Sequence, residues 1–83
     1  MPYIKSENRG DMDEIVRLMQ EKKVVANGDL NYILFALCKR TVKPSYNNYK
    51  NFIGELDCCA REIYRKLVSV YEEEKEEENG SVL

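Results

Sequence analysis

Apolar residues recur along the chain at helical spacing in three stretches. In the first, Met12, Ile15, Val16 and Met19 follow the i, i+3, i+4, i+7 rule, and Leu18 widens the stripe. Asp11, with Glu14 three residues on, fits a capping box, so the spacing predicts a helix from Met12 to about Lys23. Asn27-Gly28 is expected to break it, because both residues tolerate positive φ. Asp29 is then the expected cap of a second helix. Leu30, Ile33, Leu34, Leu37 and Cys38 share one face, while Tyr32, Phe35 and Ala36 are apolar on another. A helix apolar nearly all round needs cover on several sides. Pro44 ends it.

The third stretch is the most regular. Ser45 is its expected cap, with Asn48 three residues on. Tyr49, Ile53, Leu56, Ala60, Ile63, Leu67 and Val70 repeat every 3.5 residues, and Phe52, Cys59, Tyr64, Val68 and Tyr71 flank that seam. Gly54 interrupts it, either to admit another backbone closely or simply at an exposed position. A helix from Tyr46 to Glu73 would be about 42 Å long, whereas each of the first two would be about 18–20 Å. Either the two short helices lie end to end along the long one, or its seam packs against a second copy. The expectation is an all-α fold: a small three-helix domain with a long C-terminal helix, packed as a homo-oligomeric helical bundle. Residues 1–10 form an extended N-terminal arm, 11–73 the helical domain, and 74–83 an acidic, frayed C-terminal tail. Tyr32, Phe35, Ile53, Leu56, Ala60, Ile63, Tyr64 and Leu67 are the expected oligomer interface.

Composition narrows the function. Eighty-three residues support one small domain, and the net charge of −2 argues against general nucleic-acid binding. The longest apolar run, Tyr32 to Cys38, is too short to span a membrane, and Met1 to Glu7 has no signal-peptide core. Three cysteines, Cys38, Cys58 and Cys59, make an odd set without metal-site spacing. They are expected to be reduced, small hydrophobes buried at helical spacing in a cytoplasmic protein. No histidine exists to act as general base or metal ligand, so no enzyme activity, metal or cofactor is expected.

Charge is unevenly spread. Residues 1–50 carry nine Lys or Arg against six Asp or Glu, and residues 51–83 carry four against nine. Most of the acid lies in Glu72-Glu73-Glu74-Lys75-Glu76-Glu77-Glu78, which reads as a solvated helix end. Its E-E-x-x-E spacing is similar to half of the motif of MazG-like, Mg²⁺-dependent nucleotide pyrophosphohydrolases, but too few residues follow for the second half. The stronger chemical candidate is an anion site around the turn before the third helix. Lys39, Arg40, Lys43, Ser45, Asn47, Asn48 and Lys50 cluster there, and the helix would open with free N–H groups at Tyr46, Asn47 and Asn48. Tyr46 and Tyr49 are available to stack on a base. The ordinary alternative is a capping Ser45, cations offsetting a helix dipole, and Tyr49 in a core. Arg61 and Arg65, one turn apart, either pair with Asp57 and Glu62 or meet ligand phosphates between subunits.

Several segments also resemble a family of short phage and bacterial proteins without an assigned function. They are Pro2-Tyr3-Ile4, Gly28-Asp29-Leu30-Asn31-Tyr32, the stretch from Ile53 to Lys66, Tyr71-Glu72 and Glu77-Glu78-Asn79-Gly80. The family's patterns look like G-E-L-N-Y, then E-C-A-K-x-E-F-Y-R-R, P-Y-E-D-K-K and E-N-G. This chain departs from them at Asp57, Val70 and Ser81-Val82-Leu83. The resemblance implies a phage or mobile-element accessory protein and brings no catalytic residue. Together the readings lead to a non-enzymatic helical module that oligomerises and sequesters a small anionic, nucleotide-like ligand, dampening host signalling. The alternatives are a module that inhibits or scaffolds a host protein, and the pyrophosphohydrolase.

Overall fold

The computed structural model describes residues 4–80, and within them the fold is all-α with no strand. The expected arm residues Pro2 and Tyr3 and the tail residues Ser81-Val82-Leu83 lie outside that range. The chain divides into two compact units at the Val42–Lys43 boundary.

The first unit holds a single 3₁₀ turn, Ser6–Asn8, and two helices, α1 (Gly10–Glu21) and α2 (Gly28–Thr41). Part of the expected extended arm is therefore turned. Arg9 anchors it, its Nε donating to the Ile4 carbonyl at 3.1 Å. The capping box at Asp11 does not form: α1 starts earlier, with Arg9 at its N-cap and no side-chain cap bond. Asp11 and Asp13 sit in the first turn, where carboxylates favour the positive end of the helix dipole.

The break after α1 also differs from expectation. Lys23, at φ 59°, takes the left-handed conformation, while the N–H groups of Lys23 and Val24 reach back to the carbonyls of Gln20 and Met19. This is a Schellman-type ending with lysine in the place glycine usually fills. Neither Asn27 nor Gly28 has positive φ. Asn27 instead caps α2, its side chain accepting from the Asp29 N–H at 2.8 Å, so Asp29 is a capped residue and not the cap.

The second unit is one helical rod. It comprises α3 (Tyr46–Ile63), a π turn (Tyr64–Val68) and α4 (Ser69–Asn79), in all about 51 Å long. Ser45 caps α3 as expected, accepting from the Asn48 N–H at 3.0 Å. Gly54 lies within an unbroken α3, and a Cβ there would meet nothing of this chain within 4 Å. The expected fraying from position 74 gives way to helix as far as Asn79. Glutamate favours helix intrinsically, and Lys75 ties the segment locally, reaching Glu78 at 3.0 Å and the Tyr71 ring at 5.5 Å.

The π turn corrects the seam. Its defining bond runs from the Ser69 N–H to the Tyr64 carbonyl, five residues back. A π turn holds about one residue more than an α turn, so positions beyond it lag by about one residue. Val68 and Tyr71, rather than Val70, then continue the face of Ile53, Leu56 and Ile63.

None of the described residues is buried. Along the rod, Ile53 is 63% and Leu67 64% exposed; on α2, Tyr32 and Phe35 are each 68% exposed. The cysteines follow suit: Cys38 is half-buried, while Cys58 and Cys59 are exposed free thiols and not core residues. A single rod cannot cover its own seam, and α1 and α2 do not pack along a shared face.

Candidate functional site

The start of α3 is built from a short link and a cap. Pro44 removes a backbone donor and ends the link, Ser45 is extended, and its hydroxyl takes the Asn48 N–H. The Asn48 side chain folds back and donates to the Lys43 carbonyl at 2.9 Å, holding the link against the first turn. The Tyr49 N–H bonds the Ser45 carbonyl at 3.1 Å. The N–H groups of Tyr46 and Asn47 are left at the open end of the helix.

Tyr46 is 80% exposed, and Lys50, one turn on, places its ammonium 5.6 Å from the Tyr46 ring centre. Their i, i+4 spacing is the signal in the sequence for this contact. Lys43 has no carboxylate partner among the described residues. Lys43, Ser45, Tyr46, Asn47, Asn48 and Lys50 thus share one segment, with two backbone donors and, at Lys50, a cation beside an aromatic face.

The other expected ligand residues belong to other helical turns. Lys39 and Arg40 occupy the last turn of α2, in the other unit, where positive charge complements the carboxyl end of the helix dipole. Arg61 lies about 22 Å along the rod from Tyr46. It pairs with Asp57 at 3.0 Å, and Arg65 pairs with Glu62. Both arginines are exposed and have the local carboxylate partners named above. Within one rod they do not join the basic turn. The expected interface residues Ile53, Leu56, Ala60, Ile63, Tyr64 and Leu67 all lie on the rod, and Tyr32 and Phe35 on α2, all of them uncovered or only half-covered.

No group of three or more side chains able to hold a metal occurs among the described residues, the glutamate run included. None of the described helices is long and apolar enough to cross a membrane. No curated protein and no solved structure matches the chain. One family model does, that of the domain of unknown function DUF6899, over residues 1–82, and the chain belongs to that family.

Proposed function

We propose that this protein is a self-assembling, non-enzymatic helical binding module whose working form is a homo-oligomer. The observation that carries the reading is the uncovered seam of the rod, Ile53, Leu56, Ile63 and Leu67, in a chain with no buried residue among those described. Covering a large aliphatic side chain contributes about 1.5–3 kcal/mol, so a continuous line of them is a strong drive to associate. Sedimentation velocity and native mass spectrometry at micromolar concentration test this. Dimers or larger are expected, and a stable, folded 9.7 kDa monomer overturns the reading.

The cargo we propose for the module is a small anion of nucleotide type, held at the start of α3. Its phosphates would take the Tyr46 and Asn47 N–H groups and the Lys43 ammonium, and its base would stack on Tyr46. This supports sequestration rather than conversion, because the segment offers donors and a ring but no base, nucleophile or metal cage. Thermal-shift titration with mono-, di- and cyclic dinucleotides, followed by chromatography of the denatured complex, tests it. Lys43→Glu is expected to weaken binding about tenfold, in line with charge-assisted hydrogen bonds of roughly 1.5–3 kcal/mol. Arg65→Glu is expected to matter less, because Glu62 already neutralises Arg65. No shift with any nucleotide would transfer the module to the protein-interaction alternative, and a hydrolysed product would transfer it to the enzyme.

A further inference from the structure

We infer that the cover for the rod is a second copy of this chain running antiparallel, with the two rods crossing at Ala60. This deepens the self-assembly reading and rests on it. The stripe is close to symmetric about Ala60. Counted outward from it, with the one-residue lag of the π turn included, Leu56 mirrors Tyr64 and Ile53 mirrors Val68. An antiparallel pair therefore sets Ile53 against the partner's Val68 and Leu56 against the partner's Tyr64. The smallest side chain of the stripe lies at the crossing point, where Ala60 meets the partner's Ala60 and the backbones approach most closely.

Charge selects the direction. A parallel pair lays the glutamates of α4 beside the partner's own glutamates, six like charges on each side over two turns. The antiparallel pair instead lays them along the partner's basic start of the rod. Lys50 then faces the partner's Glu72. Asp57 and Arg61, which lie on either side of Ala60 and pair at 3.0 Å within one chain, also face the partner's Arg61 and the partner's Asp57. The four form a closed network across the axis. Opposite charges at the flanks of paired helices set partner orientation in this way.

Two full-length single variants, Lys50→Cys and Glu72→Cys, provide the test. Each is made in a background carrying Cys38→Ser, Cys58→Ser and Cys59→Ser, shown first to have the native assembly mass. The two are mixed, oxidised gently and mapped by mass spectrometry. A bridge between position 50 of one copy and position 72 of the other is the expected product. Only 50–50 and 72–72 bridges, or no bridge with the oligomer intact, overturns the antiparallel pairing and leaves self-assembly standing. A monomer at every concentration overturns both. A second measurement needs no bridge: Lys50→Glu should raise the dimer dissociation constant about tenfold, since each dimer loses two attractive pairs and gains two repulsive ones. Adding Glu72→Lys to the same chain should restore it. Failure of that rescue also overturns the antiparallel pairing.

Discussion

The two units are both helical but are held in different ways. In the first, each helix has a local beginning and end: Lys23 turns the chain after α1, Asn27 opens α2, and the Thr41 hydroxyl donates to the Leu37 carbonyl at 2.7 Å as α2 closes. In the second, Ser45 opens a rod that runs on to Asn79, altered only by a π turn. Short helices surrounded by apolar residues need cover from several directions, as exposed Tyr32 and Phe35 illustrate. A long rod with one stripe needs cover along one line, which another rod of the same kind supplies in the pairing proposed above. Local capping thus limits α1 and α2, while α3 and α4 run on as one rod whose stripe lies uncovered.

The sharpest way to break that contrast is a charge in the seam at the end of the π turn. Val68→Asp is expected to raise the assembly dissociation constant at least about a hundredfold, about 2.8 kcal/mol, because two copies each lose an aliphatic contact and gain a carboxylate there. Sedimentation equilibrium with helix content measured in parallel reads this, and an unchanged constant would remove Val68 from the seam. Removing the rod's opening cap is a smaller effect. Ser45→Ala should cost about 1 kcal/mol, visible as a lower thermal midpoint, since it orphans the Asn48 N–H.

The matching change in the first unit has the opposite sign. Lys23→Gly should raise the thermal midpoint, by about 0.5–1 kcal/mol in stability, because glycine adopts the left-handed conformation without the Cβ clash. A lower midpoint would mean that Lys23 does more than turn the chain. The smallest effect is expected about half a turn round the rod from Val68. Val70→Asp should stay within about 0.5 kcal/mol, because the π turn carries it off the stripe. Equal damage from Val68→Asp and Val70→Asp, measured side by side, would restore the uninterrupted 3.5-residue repeat.

Much of this architecture can be read without coordinates. The stripe from Tyr49 to Ile63 and the Ser45 cap depend on spacing and on residues within one turn, interactions that sequence records directly. The same holds for the long third helix and for the basic segment from Lys43 to Lys50. The misplaced ends of α1 and α2 have a shared cause. Several residues near each end are chemically able to cap, Asp11 and Asp29 among them, and backbone bonds of neighbouring residues choose between them. Lys23 is the hardest to foresee, since a lysine at positive φ is held there only by the carbonyls it satisfies.

The amino-acid sequence by itself determined the helical class, the periodic seam and the separation of basic and acidic segments, because each follows from short-range periodicity and composition. The three-dimensional structure decided the phase of the seam beyond Ile63, through a π turn that nothing in Tyr64-Arg65-Lys66-Leu67-Val68 announces. It also decided which cations stand open: Arg61 and Arg65 find carboxylates one turn away, while Lys43 and Lys50 stay beside the free end of α3. Periodicity is a property of consecutive residues, whereas phase and pairing depend on where the backbone carries them.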